Sequence, residues 1–98
     1  MKVRFEPDAE HELLAATAFV GERSERAAEN FLSEIDDAKR QLLQFPRSGS
    51  PIGRGVRRCL LKRFPYQLIY RVKDDEIVIY AVAHHKRRPR YWSKRLRP

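Results

Sequence analysis

The sequence predicts an α+β domain in which an antiparallel β-sheet, built in the order β-α-α-β-β-β, carries a two-helix hairpin on one face. Three observations lead there. Two long stretches in the first half repeat apolar residues every three or four positions, as helices with one buried stripe do. Arg57 to Trp92 holds three runs of strand character divided by two tight turns. A short alternating segment at the start supplies a further strand. All 98 residues are expected to form one domain, 1–98, because a chain of this size must share a single core among its elements.

Lys2 to Glu6 sets Val3 and Phe5 between charged residues, the period of a half-buried strand. Pro7 suits the first turn of a helix, where its missing N–H costs nothing, and Asp8, Glu10 and Glu12 suit the positive end of the helix dipole. Ala9, Leu13, Ala16 and Val20 share one stripe, and Gly21 is able to end the helix, so the first helix is expected over about Pro7 to Val20. Ser24 is a good N-cap for a second helix. Its stripe runs through Ala28, Phe31, Leu32, Ile35, Ala38, Leu42 and Phe45 until Pro46 stops it. The short gap between the helices predicts an antiparallel pair. Arg47 to Gly55 has turn chemistry and no periodicity, which makes it a connecting loop. As a phosphate-cradling loop it lacks the Gly-Lys-Ser/Thr ending and a preceding strand.

Strands are expected over Val56 to Phe64, Tyr66 to Val72 and Ile77 to His84, with turns at Pro65 and at Lys73-Asp74-Asp75-Glu76. On the middle strand Tyr66, Leu68, Tyr70 and Val72 point one way and Gln67, Ile69 and Arg71 the other. The helix hairpin is expected over the Leu68-Tyr70-Val72 face. The opposite face would then keep Ile69 and one apolar set of the last strand, either Ile77-Ile79-Ala81-Ala83 or Val78-Tyr80-Val82. Even with part of it shielded by Tyr91 to Leu96, the remainder forms an apolar trough rimmed by arginines, a groove for a partner segment at Gln67, Ile69 and Arg71.

Charge is unevenly spread. Residues 1–50 hold 7 Lys and Arg against 10 Asp and Glu, residues 51–98 hold 14 against 3, and the total is +8. An excess on the strands and tail suits an anionic partner, either nucleic acid or an acidic protein surface. The single cysteine, Cys59, excludes an internal disulfide and a cysteine-based zinc site and is expected to be a small buried apolar residue. The charged N-terminus lacks the apolar run of a signal peptide, and no window approaches a membrane span. The expected setting is the cytoplasm, with no membrane association.

The densest candidate site is His84-His85-Lys86-Arg87-Arg88-Pro89-Arg90-Tyr91-Trp92, followed by Lys94, Arg95 and Arg97. Basic residues neutralise phosphates and interleaved aromatics stack on bases, so Arg58, Arg63, Arg87, Arg88, Arg90 and Trp92 are the candidate contacts to a target or a nucleic acid. For Trp92, anchoring the terminus in the core is the favoured role. His84 and His85 are the residues here suited to proton transfer at neutral pH, and adjacent positions on a strand point to opposite faces. Lys62 or Arg63, with Arg71 and Arg87, would make a positive site able to stabilise a phosphoryl transition state. Asp74, Asp75 and Glu76 lie a full strand away from the histidines, so neither a metal nor any other cofactor is expected. Ser93 and Cys59 have no base at motif spacing.

Taken in order, Phe5-Glu6-Pro7-Asp8-Ala9-Glu10, the helix hairpin closing in Phe45-Pro46, Phe64-Pro65-Tyr66-Gln67-Leu68-Ile69-Tyr70-Arg71-Val72, Ile77 to Val82, His84, Arg87-Arg88-Pro89 and Tyr91-Trp92 resemble the RelE/ParE superfamily of bacterial type II toxins, also called plasmid stabilisation proteins. The resemblance spans essentially the whole chain. It implies a small toxin that is neutralised by a cognate antitoxin seated in its groove. RelE-like members cut messenger RNA on the ribosome without metal, through lysines and arginines on the sheet, an arginine after the last strand and a C-terminal tyrosine. ParE-like members lack that set and poison DNA gyrase.

By that resemblance Arg87 matches the arginine after the last strand, Lys62 a strand lysine and Tyr91 the tyrosine, while Arg71 and either His84 or His85 would complete a nuclease site. Gln67 stands where an arginine is expected after the aromatic of the middle strand, and a neutral amide supplies no cationic fork. That departure, with the ending His-Lys-Arg-Arg-Pro-Arg-Tyr-Trp, places the chain on the ParE-like side, with ribosome-dependent mRNA cleavage as the alternative.

Overall fold

The computed structural model describes residues 1–96; Arg97 of the basic cluster lies outside them. β1 (Lys2–Phe5) leads into α1 (Pro7–Gly21) and α2 (Glu25–Gln44), followed by β2 (Ser50–Pro51), β3 (Arg57–Leu60), β4 (Tyr66–Lys73), β5 (Glu76–His84) and a 3-10 turn at Ser93–Arg95. Pro7 occupies the first turn of α1, and the Ser24 side chain caps α2 by accepting the Ala27 N–H at 3.0 Å. Both helices begin where their local chemistry dictates.

The five strands form one sheet in the order β1-β5-β4-β3-β2. β3, β4 and β5 make an antiparallel meander, but β1 lies parallel to β5, with Val3 beside Ile77 and Phe5 beside Ile79. The sheet is therefore mixed, where the sequence predicts an antiparallel one. The cause is an additional reversal. Residues 50–58 fold into their own hairpin, with Ser50 opposite Arg58 and a turn in which Gly53, Arg54 and Gly55 all have positive φ. That turn needs glycine on both sides of Arg54. The extra reversal starts β3 in the same direction as β1, and the meander then delivers β5 parallel to β1.

β3 also ends earlier than its apolar run suggests. The Glu34 carboxylate on α2 accepts the backbone N–H of Lys62 and that of Arg63, the latter at 3.1 Å, and draws the chain off the sheet. Lys62 and Arg63 accordingly sit in the turn between β3 and β4 rather than on a strand.

The helix hairpin covers the expected face of β4. Leu68 and Tyr70 are fully buried there with Ile77, Ile79, Val82, Ala9, Ala16, Phe31, Ile35 and Leu42. The Tyr70 hydroxyl donates to the Pro46 carbonyl at 2.8 Å and accepts the Gly49 N–H at 2.9 Å. Gly49 must be glycine, because a Cβ there would stand 2.6 Å from that hydroxyl and 2.7 Å from the Arg58 carbonyl.

On β5 strict alternation fails. Ile69 pairs with Ala81 but Tyr70 pairs with Ile79, so Tyr80 is an extra residue in a bulge. Ile77, Ile79 and Val82 consequently face the helices, whereas Val78, Tyr80 and Ala81 face the other way. Neither alternating set is the one exposed. The second face is closed by the chain itself: Trp92, Leu96 and Val56 pack on Ile69, Val78, Tyr80 and Ala81, leaving Trp92 3% and Ile69 1% exposed. The apolar trough expected at Gln67, Ile69 and Arg71 is filled. Among the described residues no helix is long and apolar enough to cross a membrane.

Candidate functional site

β1 stops beside Ile79, so the outward backbone groups of β5 beyond that point have no strand to meet. Two side chains complete the ladder instead. Glu12 of α1 accepts the Val82 N–H at 3.0 Å, and Arg95 donates to the Tyr80 carbonyl at 2.9 Å. Arg95 also donates to both oxygens of Glu12, at 2.9 and 3.0 Å, and the Tyr91 hydroxyl donates to Glu12 Oε2 at 2.7 Å. Burial alone would push the Glu12 carboxyl up, but the bonds from Arg95, Tyr91 and Val82 outweigh it and hold it below the ordinary carboxylate value. Burial and the adjacent Glu12 carboxylate drive the Tyr91 phenol well above its ordinary value. The bond to Glu12 raises Arg95 in turn.

Arg87 lies 3.8 Å over the Tyr91 ring, and Arg95 lies 5.1 Å from its centre. Beside this assembly is a cavity of about 220 Å³ lined by Glu12, Ala15, Ala16, Phe19, Tyr66, Val82, His84 and Arg87. His84 closes β5 opposite Tyr66 and meets that ring edge-on at 4.9 Å. Its Nδ1 accepts the Lys86 N–H at 3.0 Å, which leaves Nε2 to carry the proton of the neutral ring. The cavity thus presents an imidazole, a guanidinium, the Glu12 carboxylate and largely apolar walls.

Of the residues the sequence singles out, the structure gathers His84, Arg87 and Tyr91 at this end of β5. His85 is exposed, and its backbone N–H donates to the Pro65 carbonyl at 2.9 Å. Lys62 and Arg63 line a different cavity, against Glu34 and Asp37 of α2. Arg71 is farther off. Its partner Val78 stands roughly 20 Å from His84 along β5, at about 3.3 Å per residue, and its guanidinium lies 5.6 Å from the Tyr80 ring on the tail-covered face. Arg71 and Arg87 therefore build no common cationic site, and Lys62 lines a cavity that includes neither. Gln67 keeps its Oε1 buried without a hydrogen-bond partner among the described residues.

The basic contacts divide in the same way. Arg58, Arg63 and Arg88 are exposed, Arg90 donates to the Ile52 carbonyl at 2.9 Å and lies 5.2 Å over Trp92, and Trp92 itself is core. Among the described residues no three His, Cys, Asp or Glu side chains come together as metal ligands.

Sequence reasoning missed Glu12 and Arg95. A signal was present: Glu12 stands three residues after Ala9 and four before Ala16, within the buried stripe, and a carboxylate there requires a cationic partner. It also missed the outer face of α1. Leu13 to Val20 carries no charge on any side, and Leu14 and Phe19 are left 64% and 59% exposed.

The mixed five-stranded sheet with a helix hairpin on one face matches the fold of solved ParDE and RelBE2 toxin–antitoxin structures. The family described as the ParE toxin of the type II toxin–antitoxin system parDE matches residues 3–89, and the chain belongs to that family. The match stops short of Tyr91, Trp92 and Arg95. Among solved structures, the chromosomal ParDE toxin–antitoxin system from P. aeruginosa is similar at 25% identity and a TM-score of 0.72, covering 86% of this chain and 95% of that one. The toxin–antitoxin complex RelBE2 from Mycobacterium tuberculosis is similar at 26% identity and a TM-score of 0.57, covering 85% and 88%. No curated protein matches the sequence.

Proposed function

We propose that this chain is a cytoplasmic toxin that arrests growth by binding DNA gyrase, without chemistry of its own, and that a cognate antitoxin neutralises it. The observation that carries the reading is the Tyr91–Glu12 bond. The phenol that a RelE-like nuclease would present to RNA is here tied to a carboxylate, with its pKa raised away from proton transfer. The dispersal of Lys62 and Arg71 and the neutral Gln67 support it further. The reading needs neither metal nor cofactor.

The antitoxin contact moves from the filled trough to α1. Leu14 and Phe19 there are exposed apolar side chains, Phe19 lines a cavity with Arg87, and the chain carries +8 overall. An amphipathic segment with acidic residues complements all three.

One observation favours mRNA cleavage as a second reading: His84 and Arg87 line the same cavity. Induction of the chain without antitoxin separates the two. Gyrase-linked DNA breaks and an SOS response are expected, whereas prompt mRNA cuts at codon positions with intact DNA would overturn the gyrase reading.

A further inference from the structure

Residues 38–73 hold ten Lys and Arg and no carboxylate. Lys39 and Arg40 pair with Asp36 and Asp37 on α2, but none of the other eight is in an ion pair among the described residues. Four of those eight converge on the hairpin of residues 50–58, at the opposite edge of the sheet from β1. Arg57 donates through Nη1 to the Arg47 and Gly49 carbonyls at 3.1 and 2.9 Å, and Arg71 donates through Nη2 to the Arg54 carbonyl at 2.7 Å. These bonds fix the two guanidiniums without neutralising them, and each retains free N–H groups.

Between Arg47, Arg57, Gly53 and Gly55 lies an open cavity of about 350 Å³. The two glycines set no side chain on its rim: a Cβ at Gly53 would meet nothing within 4 Å, and one at Gly55 would approach Arg71 Nε at 3.7 Å. Residues 47–58 contain no aromatic side chain, so no platform for an unpaired base exists. They also expose no large apolar anchor of the kind a peptide needs; the exposed large apolar residues lie outside them, chiefly on α1, on α2 and at its end, and at Leu60. Rigid, un-neutralised guanidiniums without stacking or apolar partners match a backbone of phosphodiesters.

We propose that the Arg47–Arg54–Arg57–Arg71 corner is a sequence-independent binding site for the phosphate backbone of duplex DNA. It stands without the gyrase reading, because it is tested on the purified chain alone. The experiment is fluorescence anisotropy with a labelled duplex of about 20 base pairs, titrated across about 50–200 mM salt.

Arg47→Ala with Arg54→Ala is the test variant, since neither side chain donates a hydrogen bond within the described residues and the fold is expected to be retained. The slope of log affinity against log salt is expected to fall by about 1.8, at about 0.9 for each phosphate that is no longer neutralised. Lys86→Ala with Arg88→Ala, on the C-terminal cluster, is expected to leave more of the slope in place. Absence of duplex binding, a wild-type slope in the Arg47/Arg54 variant, or tighter binding of a poly-glutamate peptide than of the duplex at this corner would each overturn the proposal.

Discussion

Two arginine-rich segments without long strands, residues 47–57 and 85–96, have opposite fates. The C-terminal segment folds back as a strap: Trp92 and Leu96 enter the core, and Arg95 is neutralised by Glu12 and approached by Asp8 at 3.6 Å. In the 47–57 segment Arg57 turns onto the Arg47 and Gly49 carbonyls, and none of its arginines meets a carboxylate among the described residues. The C-terminal segment carries six Lys and Arg in 12 residues and the 47–57 segment three in 11, yet one of the six is neutralised and, among the described residues, none of the three is. An arginine beside a buried carboxylate completes a structure, and an arginine on a carbonyl remains a cation for something else.

The contrast predicts a steep gradient of stability effects. Trp92→Ala empties the largest side chain from the tail-covered cluster and is expected to cost about 4 kcal/mol in chemical denaturation. Glu12→Ala comes next. It strands Arg95, whose side chain is 19% exposed, and leaves the Val82 N–H unpaired, for about 3 kcal/mol. Arg57→Ala loses only bonds to carbonyls, about 1 kcal/mol, and Arg58→Ala on the exposed side of β3 stays within about 0.5 kcal/mol. Equal costs at Glu12 and Arg57 would erase the distinction between the two segments.

The pH dependence sharpens it. Glu12 has a folded-state pKa below its unfolded value, so its stabilisation is complete above the ordinary carboxylate pKa and drains away as pH falls through the lowered one. Tyr91 is raised in the folded state, so its contribution is complete below the ordinary phenol value of 10.0 and is lost as pH climbs beyond it. Urea midpoints measured across both limits should fall at each end. Tyr91→Phe should lessen the alkaline fall, to which burial of Cys59, Tyr66 and Tyr70 also contributes, and keep the acid one.

Much of the fold was legible in the sequence because caps, stripes and alternation are local. Ser24, Pro7 and the Ala9-to-Val20 and Phe31-to-Leu42 stripes act where they are read. The direction of β1 was not, since it depends on whether residues 50–58 reverse the chain once more, and three residues of positive φ in a loop do not announce a strand pair. The closing of the second sheet face was legible only in part: shielding by Tyr91 to Leu96 with Trp92 as anchor was expected, but its completeness rests on a one-residue bulge at Tyr80 that alternation does not show. At the candidate site, the proximity of His84 and Arg87 followed from their places near the end of β5. The Glu12–Arg95 pair, 83 residues apart, is a tertiary contact. Only the misplaced carboxylate in the α1 stripe pointed to it.

The most direct measurement is growth arrest by the Tyr91→Phe variant, with DNA breaks and mRNA ends mapped in the same cells. If Tyr91 holds the strap to Glu12 and takes no part in chemistry, the folded variant keeps its toxicity within about threefold, the small deficit reflecting one lost hydrogen bond, and gyrase-linked breaks persist. Loss of toxicity in a variant that remains folded, together with codon-spaced mRNA cuts by the unaltered chain, would contradict it.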